Sequence, residues 1–400
     1  MFEYVTVAPP DAIFGLTEAM RADPRPDKVN LGAGVYQDEH GNTPVFAAVK
    51  EAERRIWEHE TTKAYLPIDG HRDFARHVQA LLFGDAHPVL ADGRAVTVQA
   101  PGGTGALRVL GDFIFDSGPD AVVWLTDPTW PNHPQIFEAA GFDVDRFAYL
   151  DRAHHTLAYA AMTAALVEEA EPGDLVVLHG CCHNPSGVDP TPEQWEGIGE
   201  LLARQRVLPV VDFAYQGFAA GVAEDVAWLP ALLRHVPELA VCSSYSKNFG
   251  LYNERVGALT VVAADGARAL AVLSQLKRAA RAAYSNPPAH GAAIVAAILG
   301  DAALAADWQR ELGGMRERIR RMRALLAAGL DQRGVQLHAD GNGFITRQHG
   351  MFSFTGLDQD QVRRVRAAAA VYMVDSGRIN VAGLNETNVD RVCDAIAAVQ

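Results

Sequence analysis

The chain has 400 residues, of which 49% are hydrophobic, and this predicts a globular protein large enough for more than one core. Its formal net charge of −14 argues against nucleic acid as a partner, because binding phosphates requires concentrated positive charge. The most basic stretch, 316–323, is typical of a solvated helix face.

The cysteines and the first residues indicate a reduced protein of the cytoplasm. Cys181 and Cys182 are adjacent and the other two cysteines stand far apart, so the spacing matches neither a CxxC pair nor a standard zinc site. Residues 1–10 lack the basic start and long apolar run of a signal peptide, and no apolar run in the sequence is long enough to cross a bilayer. We therefore expect a cytoplasmic protein with no membrane contact and no bound metal.

Short apolar runs alternate with helical stretches through the middle of the chain. Runs rich in valine and leucine predict strands at 95–98, 121–125, 175–178, 207–211 and 239–242, and helices are predicted at 104–115, 134–140 and 191–206. Near-continuous apolar strands separated by helices are typical of a parallel sheet that is covered on both faces. The sequence therefore predicts an α/β fold with a large, mostly parallel sheet flanked by helices.

The C-terminal part predicts a second, smaller α/β domain. A long helical pattern at 302–330 is followed by short strands at 351–354 and 379–381 and by a closing helix at 386–399, and the run 29–31 is expected to join this domain. We divide the chain into an N-terminal arm (1–13), a large domain (45–312) and a small domain formed by 14–44 and 313–400.

Glycines and polar residues follow each of the five strand-like runs. They are Gly102–Gly105, Asp127–Trp130, His179–Pro185, Asp212–Tyr215 and Ser244–Lys247. Ligands of open α/β sheets bind outside the carboxyl ends of the strands, so the sequence predicts a binding site at this edge.

Lys247 is the most informative of these residues. It closes the serine-rich run Ser243–Ser246 directly after an apolar strand, and Arg255 follows. Such an amine suits a Schiff base with an aldehyde cofactor whose phosphate is held by hydroxyls and an arginine. The loop Gly102–Gly105 enters a helix whose N-terminal amides attract phosphate, but it is neither a Walker A nor a dinucleotide motif, and a plain tight turn stays open.

Several other residues have a functional and a structural interpretation. Asp212 ends an apolar strand, where it could pair with a protonated pyridine nitrogen or cap a helix. Asn184, in a turn-forming run, could bind a phenolic oxygen, and Trp130 could stack on a flat ring or simply fill the core. Arg281 and Arg378 are each typical of a surface arginine, but together they suggest a dicarboxylate substrate.

Taken together, these runs resemble the class I aspartate and aromatic aminotransferases, fold type I enzymes that use pyridoxal phosphate, and most closely those of bacteria that act on aspartate. The matching runs cover essentially the whole chain in family order. They are Tyr65–Pro67, Pro101–Arg108, Pro128–His133, His183–Pro190, Asp212–Phe218, Ser244–Gly257, Tyr284–Gly291 and Ser376–Gly383.

The resemblance implies how the cofactor is held. Lys247 would bind pyridoxal phosphate through an imine and, when released, would move the proton from the substrate α-carbon. Asp212 would pair with the pyridine nitrogen, Asn184 and Tyr215 would bind the phenolic oxygen, and Trp130 would stack on the ring. The residues implied to hold the phosphate are Gly103, Thr104, Ser244, Arg255 and, from a neighbouring subunit, Tyr65.

The resemblance also implies the substrates and the assembly. Arg378, helped by the backbone near Gly34, would bind the α-carboxylate, close to Trp130 and Asn184, and Arg281 of a neighbouring subunit would bind the side-chain carboxylate. The expected activity transfers the amino group of L-aspartate, and also that of aromatic amino acids, to 2-oxoglutarate. A site shared in this way implies a homodimer, with the arm reaching the partner.

One departure and three alternatives stay open. Asp375 stands where small apolar residues are frequent in the family, and its charge could weaken the field of Arg378. The first alternative is an aromatic amino acid aminotransferase, because family members can swing the arginine at the position of Arg281 aside. The second is a pyridoxal-phosphate-binding regulator without turnover, which the acidic charge disfavours. The third is a lyase or decarboxylase, which the two arginines disfavour.

Overall fold

The computed structural model describes residues 1–8, 14–118 and 120–400. The helices are α1 (Phe14–Ala22), α2 (Ala47–His59), α3 (Arg72–Phe83), α4 (Pro88–Ala91), α5 (Gly102–Phe115), α6 (Asn132–Ala140), α7 (Tyr159–Glu169), α8 (Pro192–Gln205), α9 (Trp228–Leu233), α10 (Gly266–Ala283), α11 (Ala289–Leu299), α12 (Ala302–Gln332), α13 (Phe344–Arg347), α14 (Gln359–Ala369) and α15 (Val389–Ala397). The strands are β1 (Val29–Asn30), β2 (Ala95–Pro101), β3 (Val122–Asp127), β4 (Asp143–Ala148), β5 (Leu150–Asp151), β6 (Thr156–Leu157), β7 (Leu175–His179), β8 (Leu208–Phe213), β9 (Leu239–Ser244), β10 (Val256–Val262), β11 (Phe352–Phe354), β12 (Val371–Tyr372) and β13 (Arg378–Asn380).

A seven-stranded sheet with the order β2-β10-β9-β8-β7-β3-β4 forms the centre of the larger part of the chain. Its strand pairs are parallel except for those of β10, which runs antiparallel to β2 and β9. Every residue of β7, β9 and β10 is buried, as expected where helices cover both faces of a sheet. The predicted fold class, with its mostly parallel sheet, is confirmed.

The strand β10 was not predicted, and its direction follows from the length of the preceding connection. A parallel strand requires a crossover of a dozen or more residues, usually a helix. The connection from Tyr245 to Arg255 contains no helix, so the chain reverses and β10 pairs with β9 antiparallel. Lys247 lies in this connection.

Apolar side chains of the flanking helices pack on the sheet. Leu107 and Leu110 of α5 and Leu276 of α10 belong to one buried cluster with Val98 and Leu259 of the strands. This cluster fixes α5 against the sheet, and the glycines of its first turn are thereby fixed as well.

The contacts within the chain define two compact units. One comprises Pro44–Asn184 and Val188–Glu317, and contains the large sheet; the other comprises Met1–Thr43, Pro185–Gly187 and Arg318–Gln400. In the second unit β1 pairs in parallel with β12, β11 pairs antiparallel with β13, and α14 packs on α15 and β12. The domain boundaries at 44/45 and 312/313 stay a prediction.

Two observations concern the ends of the chain and membranes. Residues 1–8 are exposed, and the rest of the predicted arm, 9–13, lies outside the described residues. Among the residues that the structure describes, no single helix has the length and apolar character needed to cross a membrane; the pair α11 and α12 meets that test only jointly and is bent by 102°.

Candidate active site

The five runs of glycines and polar residues that follow β2, β3, β7, β8 and β9 all lie at the same edge of the large sheet. The strands β3, β7, β8 and β9 are parallel, and β2 has the same direction because β10 is antiparallel to both β2 and β9. All five runs therefore start at the carboxyl ends of their strands, on the side where the sequence predicted the site.

Lys247 lies in a tight turn at this edge. Its carbonyl oxygen accepts a hydrogen bond from the amide of Gly250 at 3.1 Å, and its Nζ is 5.0 Å from the centroid of the Tyr215 ring. Burial lowers the pKa of Lys247 below its ordinary value of 10.5; the charge of Asp212 opposes this shift and that of Arg255 adds to it. The amine therefore loses its proton more readily than an exposed lysine.

Asp212 is a buried carboxylate that accepts a hydrogen bond from His133. Its Oδ2 is 2.9 Å from Nε2 of His133, and Nδ1 of the same ring is 2.8 Å from the hydroxyl of Thr129. Burial alone would raise the pKa of Asp212, but the hydrogen bond from His133 and the charge of Lys247 lower it below 3.8. Asp212 is therefore ionised, and its charge can hold a proton on a ring nitrogen.

Two further histidines lie beside this pair. His179 ends β7 and is the parallel partner of Asp212 on β8, and its ring stacks on that of His133 with centroids 5.2 Å apart. Burial, and then His133, lower the pKa of His179 to about 3, so it is neutral. The ring of His183 is 4.3 Å from that of His179.

The arrangement of His133, His179 and Asp212 favours a hydrogen-bonded carboxylate over a metal site. Within the described residues, His133, His179 and Asp212 each offer one possible ligand atom, all within 4.8 Å of one another. However, the two histidine rings are stacked at 28°, so their nitrogen lone pairs do not converge, and Asp212 already accepts from His133. The expectation of no bound metal stays a prediction.

The first turn of α5 forms a cradle with the residues around β9 and β10. A Cβ built on Gly102, which has φ +72°, would lie 3.0 Å from Cζ of Arg255, and one on Gly103 would lie 3.1 Å from Cβ of Ser244. The guanidinium of Arg255 donates to the carbonyl of Tyr252 at 3.0 Å. Thr104 lies in the first turn of α5, so free amides, a hydroxyl and a cation meet at one helix N-terminus.

Two carboxylates hold the loops that carry Asn184 and Tyr215, which are both buried. Asp189 accepts the amides of the two residues that precede Asn184, at 2.8 and 2.9 Å. Asp225 accepts four amides within 217–221, just after Tyr215, at 2.8 to 3.2 Å. Both side chains therefore stand on rigid backbone.

Trp130, partly buried, lies edge-on to the ring of His133, with centroids 5.3 Å apart and planes at 87°. Trp130 and Asp212 therefore lie against the same side chain, because both contact His133. The unit that contains the large sheet thus brings together Lys247, Asp212, Trp130 and the cradle at Gly102.

The second unit groups the two residues that were assigned to the α-carboxylate. The guanidinium of Arg378 lies 4.3 Å from the centroid of the Phe352 ring and donates to the carbonyl of Gly32 at 2.7 Å. A Cβ on Gly34 would lie 3.8 Å from the same Phe352 ring. Gly34 and Arg378 therefore flank one aromatic side chain.

Tyr65 and Arg281 lie together on the exposed surface. Tyr65 is 92% exposed, and Arg281, in the last turn of α10, contacts the hydroxyl of Ser285. The hydroxyl of Ser285 in turn donates to Asn286, whose Nδ2 donates to the carbonyl of residue 66 at 2.7 Å. The two residues that the resemblance assigns to a neighbouring site are thus connected within one chain.

His133 and His179 lie within runs that the sequence singled out, but the sequence did not indicate a role for either residue. His133 follows Thr129 by four residues, and this spacing is visible in the sequence. His179 could be recognised only once β7 and β8 were known to be neighbours, and a single sequence does not reveal the strand order.

The residues fit a phosphorylated pyridine aldehyde. Asp212 can pair with a ring nitrogen, the cradle at Gly102 is open only because no Cβ fills it, and Lys247 can react with an aldehyde.

Comparisons with known proteins agree with this chemistry. The sequence model of the family "Aminotransferase class I and II" matches residues 26–396. An aspartate aminotransferase of Salmonella typhi is 53% identical over 399 residues, covering 100% of both chains. An aromatic-amino-acid aminotransferase of Pseudomonas aeruginosa is 48% identical over 401 residues, covering 100% of this chain and 98% of the relative. A crystal structure of an aromatic-amino-acid aminotransferase from Burkholderia pseudomallei, covalently bound to pyridoxal phosphate, has a TM-score of 0.96 at 47% identity and covers 100% of this chain and 99% of its own.

Proposed function

Because the chain belongs to the class I and II aminotransferase family, we propose that it transfers the amino group of L-aspartate to 2-oxoglutarate with pyridoxal phosphate as its cofactor. One observation carries the proposal. An amine with a lowered pKa, Lys247, lies in the field of an ionised buried carboxylate, Asp212, at the carboxyl edge of the sheet. Covalent attachment of the cofactor and protonation of its ring require these two groups.

When bound, pyridoxal phosphate supplies the electron sink that stabilises negative charge at the substrate α-carbon. The residues of the chain do the rest. Asp212, oriented by His133, would hold the proton on the ring nitrogen. Nζ of Lys247 would take the proton from the substrate α-carbon and act as the general base. Its lowered pKa increases the fraction of amine that can act as a base near neutral pH.

The proposed substrate is a dicarboxylate that Arg378 and Arg281 bind at its two ends. Asp375, which could have weakened the field of Arg378, has its own partners: it contacts the guanidinium of Arg366 and accepts from Nε2 of Gln359 at 3.2 Å. The charge of Asp375 is therefore compensated locally, which supports an intact carboxylate site at Arg378.

We further propose a homodimer in the cytoplasm. Tyr65 and Arg281 are exposed in the single chain, which supports their donation to a neighbouring site, and the exposed apolar side chains of Met1, Phe2 and Val7 suit an arm that binds a partner. All four cysteines are free, as expected in a reducing compartment.

An aromatic substrate is the second candidate. The similarity to aromatic aminotransferases, at 48% and 47% identity, is close to that found for the aspartate enzymes. Arg281 decides between the two candidates: its partner Ser285 is a small side chain on a surface turn, so the guanidinium can rotate away from a bulky ring.

A substrate screen with 2-oxoglutarate as acceptor tests the function. We expect a higher kcat/KM for aspartate than for phenylalanine, tyrosine or tryptophan. Arg281→Ala should reduce the aspartate value by at least about 100-fold, because a charged partner is lost, and should leave the aromatic values largely unchanged. An unchanged aspartate value would refute the role of Arg281, and a preference for aromatic donors would establish the second candidate.

A further inference from the structure

We propose that Trp308 is a positioning residue for Lys247, fixing the turn that carries the amine. The inference rests on the proposed role of Lys247 in cofactor chemistry. Trp308 lies on α12 and is fully buried. The sequence does not reveal this contact, because the indole of Trp308 and the backbone carbonyl that it contacts are sixty residues apart in the chain.

The first contact is a hydrogen bond to the backbone of the turn. Nε1 of Trp308 donates to the carbonyl oxygen of Asn248 at 2.6 Å. Asn248 directly follows Lys247 and is itself buried. A buried carbonyl without a donor costs free energy, so the indole N–H holds the peptide next to the amine in one orientation.

The second contact is a stack of aromatic rings. The ring of Trp308 lies on that of Phe249 with centroids 4.4 Å apart and planes at 14°. Phe249 is edge-on to Tyr245 at 5.7 Å, and Tyr245 is edge-on to Phe74 of α3 at 5.3 Å. Buried aromatic rings therefore restrain the chain on both sides of Lys247.

The third contact ties the other side of the turn to the same helix. Gly250, at φ +65°, ends the turn, and a Cβ on it would lie 3.3 Å from the Phe46 ring. One turn after Trp308, Glu311 accepts the amides of Ala47 and Ala48 at 2.7 and 3.1 Å. The helix α12 thus holds both the turn of Lys247 and the start of α2. The last residue of the turn, Gly250, packs against Phe46, which directly precedes α2.

This restraint bears on the rate of the chemistry rather than on substrate affinity. The lysine side chain is flexible, so the placement of its Nζ depends on a fixed backbone. Proton transfer and imine formation require close approach and alignment, and a misplacement of about 1 Å can cost about 100-fold in rate. The residues proposed to bind the substrate carboxylates, Arg378 and Arg281, are not part of this turn, so substrate affinity is not expected to change.

The test removes the indole N–H and keeps an aromatic ring, with Trp308→Phe. Trp124→Phe is the matched control, because Trp124 is also buried and donates its Nε1 to Asp174 at 2.8 Å, on β3 toward the amino ends of the strands. The first measurement is the rate at which pyridoxal phosphate attaches to Lys247 in the cofactor-free protein, followed by absorbance. Lys247→Ala gives the background.

We expect Trp308→Phe to slow attachment about 10-fold. In the loaded enzyme, kcat for aspartate should fall similarly, KM should stay within about 3-fold, and the isotope effect of α-deuterated aspartate on kcat should rise, because proton transfer becomes more rate-limiting. Trp124→Phe should lower the melting temperature but change neither the attachment rate nor the isotope effect.

Attachment at the wild-type rate in Trp308→Phe, or an equal slowing in Trp124→Phe, would overturn the proposal. If Trp308→Phe does not fold, Phe249→Leu, which removes the stack and keeps the hydrogen bond, decides in the same way: slower attachment supports the proposal and a wild-type rate overturns it. A wild-type protein that attaches the cofactor but does not transaminate aspartate would refute the proposed function alone, since the attachment rates still test Trp308.

Discussion

Asp212 keeps its charge in a buried position because His133 donates a hydrogen bond to it, and Thr129 in turn fixes the ring of His133. A carboxylate in an apolar strand end is costly unless it has such a partner. The sequence predicted a cationic ligand for Asp212 but did not reveal that a histidine already orients the carboxylate. The carboxylate of Asp212 is thus oriented by the residues of the chain alone.

Replacing Asp212 with asparagine should abolish most of the activity. An amide cannot hold a proton on the ring nitrogen, so we expect kcat to fall by at least about 100-fold, as for other lost electrostatic groups in active sites. Steady-state assays with aspartate measure this. Asp174→Asn is the control: Asp174 is also buried and bonded, to the amide of Val122 at 2.9 Å, and its variant should lose stability while kcat is retained. Equal kcat in wild type and Asp212→Asn would contradict the assignment.

The lowered pKa of Lys247 predicts how cofactor attachment depends on pH. The unprotonated amine reacts, so the rate should rise with pH through a midpoint below 10.5. The charge of Asp212 raises the pKa of Lys247 and that of Arg255 lowers it; Asp212→Asn should therefore shift the midpoint to lower pH, and Arg255→Gln to higher pH. A pH series of stopped-flow absorbance traces measures all three. Shifts of the two variants in the same direction would refute the electrostatic account.

At the scale of elements, glycine shapes the junction at which β2 ends at Pro101 and α5 begins at Gly102. Gly102 has φ +72°, and any side chain there would enter the space beside Arg255. Gly102→Ala should weaken pyridoxal phosphate binding by about 10-fold or more, since overpacking costs on the order of 1–3 kcal/mol. A titration of the cofactor-free protein measures the dissociation constant.

Gly93→Ala is the matched control for this change. Gly93 also has a positive φ, +64°, but a Cβ there would meet no atom within 4 Å. Its variant shares the backbone strain without filling the cradle, so its cofactor affinity should stay at the wild-type value. If both variants weaken binding equally, strain alone explains the result and the cradle at Gly102 is not the phosphate site.

Element order and type could largely be predicted from the sequence, because the strands that carry the site are continuous apolar runs. Pairings could not. The unpredicted β10 is as apolar as its neighbours, but its first residues, Val256 and Gly257, belong to the motif run Ser244–Gly257. A single sequence also does not say which strand lies beside it. For the same reason the sequence could not place His179 beside Asp212, or Trp308 beside Asn248. These contacts join residues far apart in the chain and depend on packing.

At the scale of the whole molecule, the exposed Tyr65 and Arg281 predict that an active site is complete only in a dimer. Mixing two inactive homodimers, Lys247→Ala and Arg281→Ala, and allowing the subunits to exchange should restore aspartate aminotransferase activity. A hybrid dimer would contain one site with both wild-type residues. Sedimentation would verify the dimers, and each unmixed variant serves as its own control. No recovery after proven exchange would show that Arg281 acts within its own subunit.

The reversal of the chain between β9 and β10 has a consequence for the durability of the protein. Both strands lie inside the sheet, β9 between β8 and β10, and β10 between β9 and β2, so the loop of Lys247 is clamped at both ends by interior ladders and cannot fray on its own. Amide hydrogens of β9 and β10 should exchange with solvent only on global opening. We therefore expect the backbone of Lys247 to leave its native position only when the sheet itself unfolds, at a higher free energy than the local unfolding of the chain ends.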